Sequence, residues 1–239
     1  MLVGEITMPE FKKGVKKSSV LIVPFGTVEA HGTHLPLNTD TLVIREAVAR
    51  VAGRNMSVFM APPIQYGVCT STAPHPGTIG ITASTLRLLA ADIVKSGYEQ
   101  GFRNIMLVSG HGGSIHVSAL KEAAEELVSR LDGLKMAAFS IYELIGREAS
   151  EIAETKNDSH AGELETSLML HLAPRLVKGR SKEEYPDFPR PLILKDKLKY
   201  WPGAVWGDPG KATAEKGERL FNAMVEKLEE VAGRLERSR

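Results

Sequence analysis

The chain has 239 residues, 43% hydrophobic and 25% charged, with 30 Lys and Arg against 29 Asp and Glu. No basic excess and no dense Lys/Arg cluster argue for nucleic acid. The only cysteine is Cys69, which excludes an intrachain disulfide and fits a reducing cytoplasm. The N-terminus carries acidic residues and a proline but no apolar h-region, so no signal peptide is expected. No apolar run approaches the ~20 residues that span a bilayer. The expectation is a cytoplasmic chain with neither membrane nor nucleic acid as partner, folded as one α/β domain over residues 1–239.

Short apolar runs alternate with helical patterns. Residues 19–25 read as a buried strand and 41–53 as a helix with Asp40 at its start and Gly53 at its stop. A second strand, 57–64, is halted by a proline pair, and a Gly/Pro/Thr-rich loop follows to about residue 81. A helix over 83–101 leads to a third, nearly all-apolar strand at 104–110. A helix at 118–133, a strand at 135–144 and helices at 160–174 and 213–236 complete the chain. Alternation of this kind predicts a mainly parallel sheet covered by helices on both faces. Ligands of such sheets gather outside the carboxyl ends of the strands.

Two of those ends carry metal-capable side chains. The first strand runs into "GTVEAHGTHLPLNTDT", with Glu29 and His31 two apart and Asp40 nine residues on. In an extended segment Glu29 and His31 point the same way. The third strand runs into "SGHGGS", which holds His111. Singly, each has an ordinary role as a loop hydrogen-bonder, a salt-bridge partner or, for Asp40, a helix cap. Together, a mixed carboxylate–imidazole set suits Zn²⁺, Mn²⁺ or Fe²⁺. A carboxylate such as Asp40 can bridge two such ions ~3.5–4 Å apart. His34 falls outside the alternation and is expected to serve structure.

A third stretch, "NDSHAGELETS", places His160 at the opening of a helix with Glu163 one turn on. Glu165 falls on the apolar stripe with Ala161, Leu168, Met169 and Leu172. A carboxylate there costs on the order of several kcal/mol unless it is paired or ligating. Glu163 is open to two readings, ligation or a first-turn carboxylate favoured by the helix dipole.

The blocks "PFGTVEAHGTHLPLNTDT", "PGTIGIT", "SGHGGS" and "HAGELETSLML", in this order, resemble the signature of the creatininase (creatinine amidohydrolase) family, and the later "WGDPGKATAEKGE" is similar too. The resemblance implies a three-layer α/β/α sandwich and hydrolysis of an amide C–N bond at a binuclear site holding two divalent metal ions, Zn, Mn or Fe. It also implies a homo-oligomer, often a hexamer. By resemblance, Glu29 binds one metal, His31 the other, Asp40 bridges them, His111 adds a ligand, and His160 handles the proton near the scissile bond. The family has a Glu shortly after the "GH" histidine where this chain has Gly112 and Gly113. Glu163 is the expected replacement ligand, with Glu165 behind it. Gly112 and Gly113 are expected to bind substrate through backbone N–H groups. The family's Trp before the third-motif histidine is also missing, since "TKND" stands there.

The expected activity is therefore hydrolysis of a small-molecule, non-peptide amide, cyclic or linear, by metal-activated water. Alternatives within the family are a formamide on a pyrimidine intermediate and a peptide bond of a cofactor precursor. Outside it stand a Cys hydrolase using Cys69 and a non-catalytic phosphate- or nucleotide-binding module using "SGHGGS".

Overall fold

A computed structural model describes residues 1–16 and 19–238. Four parallel strands form one sheet in the order β2-β1-β3-β4, with β1 Val20–Phe25, β2 Val58–Met60, β3 Asn104–Ser109 and β4 Lys135–Ser140. Strands β1 and β3 run in full register from Val20 against Asn104 to Phe25 against Ser109. Both are buried on both faces, which is why they read as continuous apolar runs.

Alternate residues of these strands feed two cores. Val20, Ile22, Met106 and Val108 pack beneath α2 (Thr39–Arg54), α7 (Glu163–Leu172) and α8 (Ala214–Arg237). Leu21, Val23, Ile105 and Leu107 pack beneath α3 (Ala83–Glu99) and α4 (Ser114–Arg130), with Phe11 of α1 (Met8–Gly14) at the margin. The result is the three-layer α/β/α sandwich with a parallel sheet. Among the described residues, no helix is long and apolar enough to cross a membrane.

The elements depart from the sequence reading in five places. Strand β2 is only three residues long, because Pro62 and Pro63 follow; it pairs with β1 along its length and with Leu2 through a single bridge at Met60. Strand β4 stops at Ser140, where a capping box with Glu143 opens α5 (Ile141–Leu144), and α6 (Gly146–Ile152) follows. Helix α4 starts at Ser114 rather than 118, and α7 starts at Glu163 rather than 160. Helix α1 lay outside the sequence expectation.

Two glycines set how closely α2 meets the sheet. A Cβ on Gly26, one residue past β1, would lie 2.2 Å from Thr41 Oγ1 and 2.5 Å from its Cα. A Cβ on Gly110, one residue past β3, would lie 2.2 Å from the Asp40 carbonyl oxygen. The first turn of α2 therefore rests directly on the carboxyl ends of the two inner strands. Gly110→Ala is expected to cost about 3 kcal/mol or more, since the contacting atom is backbone and cannot turn aside. Thermal unfolding would show this as a lowered Tm, and an unchanged Tm would contradict the contact.

Candidate metal centre

The loop after β1 folds back on itself, with the Glu29 N–H donating to the Leu37 carbonyl at 2.9 Å. This turns Glu29 and His31 toward Asp40 in the first turn of α2, and all three are buried. His31 Nδ1–H donates to the Glu29 carbonyl at 3.0 Å. That bond leaves Nε2 facing Asp40 Oδ1 at 3.2 Å and Glu165 Oε2 at 3.6 Å. His111, just past β3, faces the same carboxylate from the other side. Its Nδ1 lies 3.1 Å from Asp40 Oδ2 and 2.7 Å from Glu29 Oε1.

Asp40 thus presents one oxygen to each histidine. Two triads share it, Glu29–Asp40–His111 and His31–Asp40–Glu165, and in each the donor atoms lie within 4.8 Å of one another. Hydroxyls hold the outer faces of the carboxylates: Thr27 donates to Asp40 Oδ2 and Thr72 to Glu29 Oε2, both at 2.5 Å.

The donor set fits a divalent metal pair. A neutral His31 in this tautomer turns a lone pair onto two carboxylates, a repulsion that only a proton or a metal cation relieves. Burial would lower His31, but Asp40, Glu165 and Glu29 push it up to about 10. His111 also rises well above the usual imidazole range, because Glu29 and Asp40 outweigh its burial. Conversely, burial would raise Asp40, but His31 and His111 hold it well below the usual carboxylate range. Burial pushes Glu165 up to about 7, against the pull of His31. In the chain alone, two imidazolium protons offset the Glu29 and Asp40 carboxylates, and burial favours a proton on Glu165. Metal cations would displace those protons, so metal binding competes with acid.

The structure reverses the expected order of Glu163 and Glu165. Because α7 begins at Glu163, that residue is its first position and its carboxylate turns away from the cluster. It accepts from the backbone N–H of Glu154 at 3.0 Å and of Thr155 at 2.7 Å, and pairs with Lys216 Nζ at 2.6 Å. Glu165 instead reaches His31, and its Oε2 accepts from the Ala161 N–H at 2.6 Å. Position 113 has no room for a side chain, since a Cβ there would lie 2.2 Å from His111 Nε2. His34 stands apart from the cluster, tying Thr166 Oγ1 at 2.8 Å to Ser181 Oγ at 2.9 Å.

His160 lies above the cluster, its ring centroid 4.3 Å from that of His31. Its Nε2–H donates to the Ala30 carbonyl at 2.8 Å, which leaves Nδ1 as the acceptor. Burial and His31 push His160 down to about 4. The imidazole is therefore neutral at pH 7 and starts as a proton acceptor, not as the proton donor that general-acid chemistry needs. The backbone of Trp206 pairs with that of His160, Trp206 N–H donating to the His160 carbonyl at 2.7 Å.

A cavity of about 610 Å³ opens above these residues. Gly112, Gly113, Tyr142, Trp201 and Trp206 line it, as does Cys69. Burial, Glu29 and Asp40 all raise the Cys69 thiol, the opposite of an activated nucleophile. The sequence reading missed Thr27, Thr72 and Tyr142. Thr27 sits on the same alternation as Glu29 and His31, a signal that could have found it.

The fold and the cluster define an α/β/α protein with a buried carboxylate–imidazole centre at the carboxyl ends of its inner strands. Residues 4–232 match the creatininase family, described as creatinine amidohydrolase, and the chain belongs to that family. The mycofactocin precursor peptide peptidase of Mycobacterium tuberculosis (strain CDC 1551 / Oshkosh) is 33% identical over 241 residues, covering 94% of this chain and 89% of the relative. A crystal structure of creatinine amidohydrolase (creatininase) superposes with a TM-score of 0.88 at 26% identity, covering 100% of this chain and 98% of that one. A mutant creatininase described as "Zn-Zn type" superposes with a TM-score of 0.84 at 27% identity, over 96% of each chain. The chain is a hydrolase of this family.

Two outcomes test the geometry. Glu165→Gln is expected to lower bound zinc, measured by elemental analysis, whereas Glu163→Gln keeps the metal and loses stability through Lys216. The reverse pattern would restore Glu163 as the ligand. The second concerns His34, which burial and His31 push down to about 4 from an ordinary value near 6.5. Between those values the unfolded chain binds more protons than the folded one, so stability falls as pH drops from about 6.5 toward 4. Denaturant melts at a series of pH values should show a shallower slope in His34→Gln.

Proposed function

We propose that this chain hydrolyses an amide C–N bond with a metal-activated water, using two metal sites that share Asp40. Glu29, Asp40 and His111 would hold one ion; His31, Asp40 and Glu165 would hold the other. The observation that carries this reading is Asp40 offering Oδ1 to His31 and Oδ2 to His111, each within 3.2 Å. Two divalent ions held there, zinc, manganese or iron, would supply Lewis-acid charge and would lower the pKa of a water toward ~7.

The chain's own residues do the rest. His160, fixed by Ala30 through Nε2, accepts a proton at Nδ1 and passes it to the leaving nitrogen. Starting neutral, it works as base and then as acid within one turnover. Gly112 and Gly113 bring backbone N–H groups to the cavity wall. Trp201 packs edge-on against His160, with centroids 5.3 Å apart, and keeps its orientation.

For the substrate, a peptide or peptide-like amide is favoured over the small cyclic amide that the sequence first suggested. The 33% identity to a named peptidase over most of both chains supports it. So does a cavity in the size range that buries drug-sized ligands, with the polar residues Asn157, Asp158 and Ser159 ahead of His160. A small amide of the creatinine type is the second reading, supported by the likeness to solved creatininases. We also read the chain as one domain and as a homo-oligomer. Its apolar residues Ile79, Leu88 and Ile115 are exposed and would suit contact between copies. A free Cys69 suits the cytoplasm.

The test is metal analysis followed by an amide panel of short peptides, formamides and creatinine, run on zinc- and manganese-loaded protein. Asp40→Asn should lower metal affinity by more than about 100-fold, since changes to outer partners alone cost 10–100-fold. Turnover should fall with it. Full metal content and full turnover in that variant would refute the shared-carboxylate assignment.

A further inference from the structure

We propose that His75 is a positioning residue, which holds the His160 ring in place for proton transfer by way of Trp201. The role rests on the amide-hydrolysis reading above, in which His160 carries the proton. His75 is 4% exposed and ends a tight turn, its N–H donating to the Thr72 carbonyl at 2.8 Å. Its ring Nδ1 lies 3.3 Å from the same oxygen. Its Nε2 lies 2.6 Å from the Trp201 carbonyl oxygen, 126 residues on in the sequence. A carbonyl oxygen only accepts, so Nε2 is the donor.

The bonds around His75 close a ring that contains His160. His160 Nε2–H donates to the Ala30 carbonyl at 2.8 Å, and the Ala30 N–H donates to Thr78 Oγ1 at 3.0 Å. The Thr78 N–H donates in turn to the His75 carbonyl at 3.2 Å. On the other side His75 grips Trp201, whose ring stands edge-on to both imidazoles. The centroids are 5.6 Å apart for His75 and 5.3 Å apart for His160. The Trp201 indole N–H donates to the Val205 carbonyl at 2.6 Å, which fixes the ring on the backbone that His75 holds. One turn, residues 72–78, therefore restrains His160 twice: its Nε2 through Ala30 and its ring through Trp201.

The second restraint matters because the first is incomplete. Nε2 is engaged by Ala30, so the proton passes through Nδ1, and the rotation of the ring decides where Nδ1 points. A single hydrogen bond leaves the ring free to swing about the line from Cβ to Nε2. Contacts with Trp201 and His31 limit that swing, and His75 sets the position of Trp201. A reacting group misplaced by about 1 Å costs on the order of 100-fold in rate. Lys197 Nζ also donates to the Thr70 carbonyl, a second tie between the same two segments. The Trp201 segment therefore stays docked when His75 is changed, and the loss falls on the orientation of Trp201.

The experiment compares zinc-loaded wild type, His75→Gln and His75→Asn. Glutamine places its amide nitrogen close to the position of Nε2 and keeps the donor to Trp201. Asparagine places its nitrogen close to Nδ1 and keeps only the reach to Thr72. Turnover is measured on whichever amide the panel identifies, and acrylamide quenching of tryptophan fluorescence reports the shielding of Trp201. His75→Asn is expected to lower kcat about 10- to 100-fold with KM within about threefold, at unchanged metal content and with raised quenching. His75→Gln is expected to restore both kcat and quenching toward wild type. Equal kcat in the two variants overturns the proposal, whether both stay high or both fall. Loss of metal in His75→Asn also overturns it, because His75 would then act through Thr72 on Glu29. So does loss of the folded state, which would make the bond part of the fold alone. If wild type turns over no amide, the amide reading fails, and the quenching of the two variants still decides whether His75 fixes Trp201.

Discussion

The site depends on the close approach of α2 to the carboxyl ends of β1 and β3. Gly26 and Gly110 remove the two side chains that would hold the helix away, and the Asp40 backbone rests against Gly110. Asp40 then sits between a histidine from each strand end, with Thr27 as its hydroxyl donor. Its place in the first turn of α2 adds the positive end of the helix dipole, which favours the ionised carboxylate. Glu165 repeats the device in the first turn of α7, where it accepts from the Ala161 N–H. Two helices that cover the same face of the sheet aim their N-termini at one cluster.

Charge balance explains the rest of the centre. Three buried carboxylates repel one another, and the chain answers with hydroxyl donors and two imidazoles rather than with Lys or Arg. Lys216 pairs with Glu163 and Glu154 instead. That leaves the positive charge at the centre exchangeable, carried by protons or by metal. A permanent guanidinium in the same place would close the site to metal chemistry.

The sheet was legible because β1 and β3, buried on both faces, have no alternation to confuse with a helix. The end of β4 was not, since "SIYEL" continues the apolar run, and only the Ser140–Glu143 spacing marks the turn into α5. Glu29, His31, Asp40 and His111 could be singled out because strand ends are where parallel sheets gather ligands, and the structure brings the four together. Glu165, rather than Glu163, lies beside His31 for a long-range reason. The apolar stripe singled out Glu165, but the fate of Glu163 turns on Lys216, 53 residues away on α8, and no local pattern shows that pairing.

The donors come from four separate stretches, spread from residue 29 to residue 165. The two triads are complete together only when β1, β3, α2 and α7 have all docked, and the β1–β3 and α2–α7 contacts are distant in sequence. The site is therefore a checkpoint on folding. A partly folded chain has these carboxylates and imidazoles but not their geometry, so the cluster does not exist while the chain's own peptide bonds are exposed. An enzyme of this kind withholds its reactivity until the last long-range contact is in place.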